Sequence, residues 1–133
     1  MAGVKHDQGK VRMDLLPNDA LLAVAQVLTM GAAKYGDRNW EEGIPASRLE
    51  AGLLRHLTQW KMHQDKDSES GLPHLAHMAC NALMLLALEL RYTPNFDDRP
   101  PVYGFNPLFD SFFSRKPIPP KEVECPKAES RSY

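Results

Sequence analysis

Residues 73–91 run Pro-His-Leu-Ala-His-Met-Ala-Cys-Asn-Ala-Leu-Met-Leu-Leu-Ala-Leu-Glu-Leu-Arg. The run is apolar nearly all round, through Leu75, Met78, Leu83, Leu85, Leu86 and Leu90. It predicts a helix from about Leu72 or Pro73 to Arg91, and a helix without a full polar face has to be covered on several sides, as the central or interface helix of an all-α domain. Positions 74, 77, 81, 84 and 88 share one face at steps of three and four. They are His74, His77, Asn81, Met84 and Leu88, a stripe that begins polar and ends apolar, as if one end borders a site and the other the core.

Working outward, Ser47-Arg48-Leu49-Glu50 is a capping-box pattern in which Ser47 and Glu50 serve each other's backbone amides. It predicts a second helix continuing through Leu53, Leu57 and Trp60 to about His63, and it gives Glu50 a structural role. An earlier helix is predicted from about Pro17 to Tyr35, since proline suits the first helical position and Leu21, Val24, Leu28 and Tyr35 recur at helical spacing. Gly36 is a ready stop. Eight of the eleven prolines lie in residues 94–133 and all five histidines precede them. A boundary is therefore expected near residue 93, between an all-α domain (1–93) and a Pro/aromatic-rich extension (94–133). Tyr103, Phe105, Phe109, Phe112 and Phe113 suggest that the first half of that extension packs onto something, while residues 117–133 read as a loose end.

The 133 residues provide for one domain, and three helices alone make a thin core, so a helical bundle completed by self-association is expected. A net charge of −1, from 16 Lys+Arg against 17 Asp+Glu, argues against bulk nucleic acid as a partner, though not against a small phosphorylated ligand. Cys80 and Cys125 make no disulfide framework, and Cys80 in its apolar run reads as a buried, inert thiol. With no apolar leader at the N-terminus and no membrane-length apolar run, a cytoplasmic location is expected.

Three clusters carry chemistry. His74-x-x-His77 allows two imidazoles to meet one ion, or places two polar residues at a solvated helix end. Just before it, Asp65-Lys66-Asp67-Ser68-Glu69-Ser70 puts three carboxylates within six residues. These suit either a hard divalent cation, which keeps waters or substrate phosphates as further ligands, or an acidic loop complementing the helix dipole. Arg55-His56 lies mid-helix among Leu53, Leu54 and Leu57, where an acidic or phosphorylated partner, or exposure, would relieve the burial cost. Lys34-Tyr35-Gly36-Asp37-Arg38-Asn39-Trp40 combines cations for phosphate, an amide for a base edge and rings for stacking; the alternative is a polar turn with Trp40 in the core. Lys10, after Gly9, is a further candidate phosphate contact or an ordinary exposed lysine.

His6-Asp7 lacks the upstream histidine that an HD phosphohydrolase needs, and there is no P-loop. In contrast, residues 6–10 with 14–17 (His-Asp-Gln-Gly-Lys, Asp-Leu-Leu-Pro), 31–40 (Gly-Ala-Ala-Lys-Tyr-Gly-Asp-Arg-Asn-Trp), 53–57 (Leu-Leu-Arg-His-Leu) and 67–77 (Asp-Ser-Glu-Ser-Gly-Leu-Pro-His-Leu-Ala-His) occur in an informative order. Together they resemble the phage-associated dATP/dGTP diphosphohydrolase domain, which is similar to the all-α nucleoside triphosphate pyrophosphatases of MazG type. The resemblance covers residues 5–90 and implies cleavage between the α- and β-phosphates to a monophosphate and pyrophosphate. It also implies a divalent metal, helical subunits paired into dimers or tetramers, and a host-cytoplasm location if phage-encoded. The usual MazG acidic motifs, Glu-Glu-x-x-Glu and Glu-x-x-Asp, are absent: Glu41-Glu42 lacks a third member, and His74-x-x-His77 stands where the second pair would.

The expected site therefore has Asp67, Glu69, His74 and His77 holding a divalent ion, Mg²⁺ or alternatively Mn²⁺ or another transition metal. Glu69 is also expected to be catalytic, with His56 orienting or deprotonating water. Lys10, Lys34 and Arg55 would neutralise the phosphates, and Asn39 and Trp40 would hold the base. The rival reading is a non-catalytic nucleotide-binding protein that sequesters a nucleotide signal in the same pocket. A helical interaction module without a small ligand would leave residues 65–77 without a purpose.

Overall fold

The computed structural model describes residues 2–101; the tail aromatics, Cys125 and residues 117–133 lie outside the described residues. Three helices account for the architecture: α1 (Asn18–Tyr35), α2 (Ala46–Lys61) and α3 (His74–Leu90). Among the described residues there is no strand, only an isolated antiparallel bridge between Lys66 and Pro73. The expected all-α fold is what forms.

Proline precedes each helix directly, at Pro17, Pro45 and Pro73, in an extended conformation that launches the helical turn. Gly36 ends α1 at φ 95°, a conformation open to glycine, and its amide bonds to Ala32 O. The capping box does not form. Helix α2 starts at Ala46, one residue before Ser47, and no side chain caps it locally. Asp98 performs that service from 51 residues away: its carboxylate accepts from the Ser47 amide at 2.8 Å and from the Ser47 hydroxyl. The Ala46 amide is bonded to Phe96 O at 2.9 Å. Residues 93–99 thus return to the start of α2 and satisfy amides that a helix N-terminus leaves unpaired.

Helix α3 is the central element, packing on α1 and more extensively on α2. Val24 and Val27 of α1 meet Ala76 and Cys80 of α3, with Leu28, Leu72 and Met84 around them. Leu88 is fully enclosed. Burial pushes the Cys80 thiol up to about 11, so it stays protonated and unreactive at neutral pH. Leu75, Leu83, Leu86 and Leu90 form one face of α3 that is exposed on the single chain. No described helix is long and apolar enough to cross a membrane.

Helices α2 and α3 run antiparallel, since Gly52 lies against Asn81 while His56, one turn later, lies against His77 and His74. A Cβ on Gly52 would sit 3.3 Å from both amide atoms of Asn81. The missing side chain is what lets the two helices approach closely beside the histidines.

Candidate active site

The loop between α2 and α3 is tied back on itself. Asp67 N donates to Leu72 O at 2.9 Å, Gly71 N to Asp67 O at 2.8 Å, and His74 N to Asp65 O at 2.9 Å. Gly71 supplies the positive φ, 70°, that closes the turn. The Ser70 amide donates to Asp67 Oδ2 at 2.8 Å, which orients the carboxylate toward the start of α3.

There, three imidazoles from two helices converge. His56 Nδ1 and His74 Nδ1 are 2.9 Å apart, so one ring carries its proton on Nδ1 and the other accepts it. His56 lies flat on His77, with centroids 4.5 Å apart and planes 11° from parallel. His77 Nε2 is 2.7 Å from Ser70 Oγ and 3.9 Å from Asp67 Oδ2. His74 is 1% exposed, and its only described side-chain partner is His56. Burial, reinforced by the neighbouring rings, holds His56 below the ordinary histidine value; burial likewise lowers His77, against the opposing pull of Asp67. Both are therefore neutral at pH 7 and able to act as ligands or bases. Burial raises the Asp67 carboxyl, but the Ser70 hydrogen bonds and the histidines outweigh it, and its net value is below the ordinary one.

The cluster closes one end of an open cleft of about 920 Å³. Lys34, Arg38, Arg48, Arg55 and Arg91 line it, with Trp40, Glu41, Asn81 and Met84. Lys34 Nζ donates to Glu69 Oε1 at 3.1 Å across the cleft mouth, and Tyr35 and Glu69 together hold the ammonium above its usual value. At the opposite end the Arg91 guanidinium stands 5.2 Å from the Trp40 ring centroid, a cation–π arrangement. Glu41 accepts from Arg38 at 2.9 Å and pairs with Arg91 at 3.4 Å. Among the described residues, Arg48 and Arg55 have no carboxylate partner, and both present their charge to the cleft.

Of the residues expected from sequence, His56, Asp67, His74 and His77 come together in one cluster, and Lys34, Asn39, Trp40 and Arg55 line the adjoining cleft. Glu69 also lines the cleft, but its carboxylate is on Lys34. Lys10 sits in an exposed turn, its amide bonded to Asp7 O at 3.1 Å, and does not line the cleft. Sequence reasoning missed Ser70, Arg48 and Arg91. Ser70 lay inside the quoted loop, and Arg48 is one and two turns ahead of Gly52 and Arg55 on the same helical face. Nothing local marked Arg91, since its tie to Trp40 spans the whole domain.

One ligand atom each from His56, Asp67 and His74 can lie within 4.8 Å of the others. Two imidazoles and a carboxylate at that spacing fit a divalent cation. This group departs from the expected set at three positions: His56 is included, Glu69 is turned away onto Lys34, and His77 borders the group without being one of its donors.

The family model described as "dATP/dGTP diphosphohydrolase, N-terminal" matches residues 1–99. A dATP/dGTP diphosphohydrolase of Salmonella phage PMBT28 is 39% identical over 99 residues, covering 74% of this chain and 33% of that protein. The chain thus spans about a third of the length of the curated relative it matches. No solved structure matches. With the quoted segments in order and the whole helical unit inside the match, the chain belongs to the dATP/dGTP diphosphohydrolase N-terminal family.

Proposed function

We propose that this chain hydrolyses purine deoxynucleoside triphosphates, dATP and dGTP, to the monophosphate and pyrophosphate with the help of a divalent ion. The observation that carries this reading is the convergence, at one end of a cation-lined cleft, of the His56–Asp67–His74 group with the stacked His77. The dATP/dGTP diphosphohydrolase activity for which the phage relative is named supports the substrate class.

His56, Asp67 and His74 would hold the ion, which supplies Lewis-acid polarisation of a phosphoryl oxygen. His77 borders that group without being one of its three donors, and takes the base role expected for His56. Its neutral Nε2 accepts a proton through the Ser70 hydroxyl, and Asp67 Oδ2 at 3.9 Å stabilises the imidazolium that results. Arg55 and Arg48 neutralise charge on the phosphates, with Lys34 at the cleft mouth once the phosphate chain competes with Glu69 for it. Trp40 stacks on the base and Asn39 meets its edge, with Arg91 moving aside or covering the outer face. The exposed apolar face of α3 supports pairing with a second copy, in a dimer or tetramer.

The test is a panel of ribo- and deoxynucleoside triphosphates incubated with the full chain, with and without chelator. Monophosphate from dATP and dGTP, abolished by exhaustive chelation, is expected. Undiminished turnover after chelation, or no purine preference, would overturn the reading.

A further inference from the structure

We infer that His56, Asp67 and His74 form a nitrogen-rich centre selecting a borderline first-row transition ion, of the Fe²⁺, Co²⁺ and Zn²⁺ class, over Mg²⁺. This deepens the proposed function by naming the class of ion. It rests on donor chemistry and spacing, and its test does not depend on turnover.

Mg²⁺ favours oxygen ligands and keeps most of its waters, being held through one or two carboxylates. Imidazole nitrogen suits the later divalent ions, whose affinity for nitrogen sites rises across the row. Here two of three donors are nitrogens. The acidic loop that might have balanced them sends only Asp67 inward: Glu69 is bonded to Lys34, and Asp65 contributes its backbone carbonyl to His74 N.

Spacing points the same way. Two nitrogens each about 2.1 Å from one ion, at right angles, lie about 3.0 Å apart. His56 Nδ1 and His74 Nδ1 are 2.9 Å apart, so the two nitrogens already stand at the separation that neighbouring ligands of one ion require, and each lone pair would turn from the other ring toward the ion. The surroundings fix the donors. His74 is 1% exposed at the start of α3, and His56 is held flat against His77, which is anchored in turn by Ser70. Ligand rings held by such contacts spend little entropy on binding an ion.

The test is titration of the chelator-stripped full chain with Co²⁺, followed by its visible absorption, then challenge with Mg²⁺. One Co²⁺ per chain is expected, and a hundredfold excess of Mg²⁺ should leave the absorption in place. His56→Ala and Asp67→Asn should each weaken Co²⁺ binding by about 100-fold or more, above the range for loss of a supporting contact, with helical circular dichroism retained. His63→Gln, outside the cluster, should bind as the parent does. His74→Ala would empty a core position, so the two more accessible variants carry the test. Absence of cobalt absorption, its persistence in both folded variants, or displacement by equimolar Mg²⁺ would each overturn the inference. Turnover supported by Mg²⁺ without Co²⁺ binding would overturn this ion assignment and leave the proposed reaction standing. Co²⁺ binding without hydrolysis of any nucleotide would do the reverse.

Discussion

Gly52 is the position where packing and site geometry depend on a single missing side chain. Alanine there would gain about 0.5–1 kcal/mol of backbone propensity in mid-helix. Its Cβ would meet Asn81 Nδ2 and Oδ1 at 3.3 Å, and the Asn81 amide can yield by a few tenths of an ångström because it faces the cleft. Gly52→Ala should therefore lie within about 1 kcal/mol of the parent in urea unfolding, with the strain offsetting the propensity gain. Gly52→Leu adds a branched side chain to the same closed seam, and overpacking of this kind costs about 1–3 kcal/mol. Helix α2 would be levered from α3 one turn before His56, so the 2.9 Å approach of His56 to His74 would be lost and divalent-ion binding with it. Urea denaturation followed by circular dichroism, paired with an ion-binding titration, reads both effects. A Gly52→Leu protein as stable as the parent and binding its ion undiminished would show that the seam does not depend on the missing side chain.

Other consequences are measurable. His56 and His77 have folded values below the ordinary 6.5, so as pH falls the unfolded chain takes up protons first. Their contribution to stability is complete above about pH 6.5 and is lost as pH drops through the lowered folded values. The melting temperature should therefore fall between about pH 7 and pH 5, and His56→Gln should flatten the fall; a melting temperature rising on acidification would contradict this. If Trp40 stacks on the base as proposed, Trp40→Ala removes a contact worth about 1–3 kcal/mol, so KM should rise about 5- to 150-fold in a steady-state assay, with kcat less affected. Asp98→Ala leaves the Ser47 amide and hydroxyl without their partner, and calorimetry should show a lower melting temperature, while the exposed Arg12–Asp14 pair should be removable without measurable effect.

The helices were legible because each rests on local periodicity and on prolines that precede it directly. The polar-to-apolar stripe on α3 was legible too, with His74 and His77 at its start and Leu88 enclosed near its end. What stayed hidden depends on residues distant in sequence. Ser47 and Glu50 satisfy every local rule for a capping box, yet Asp98 reaches the same amide with a full charge and displaces it. Glu69 has the right charge and position for an ion ligand, but the C-terminal turn of α1 brings Lys34 within 3.1 Å and takes the carboxylate. His56 could be placed on the correct face, whereas its 2.9 Å approach to His74 follows from Gly52 and the antiparallel seam. The Arg91–Trp40 contact joins the end of α3 to the turn before α2, beyond any local pattern.

On the proposed reading, the cleft cuts dGTP between its α- and β-phosphates. Phosphorus NMR of dGTP incubated with the full chain and a divalent ion tests it most directly, because each mode of cleavage leaves a different set of phosphorus products. Accumulation of dGMP and pyrophosphate in equal amounts is expected; orthophosphate with dGDP, tripolyphosphate with the nucleoside, or dGTP bound but unchanged would overturn that reading.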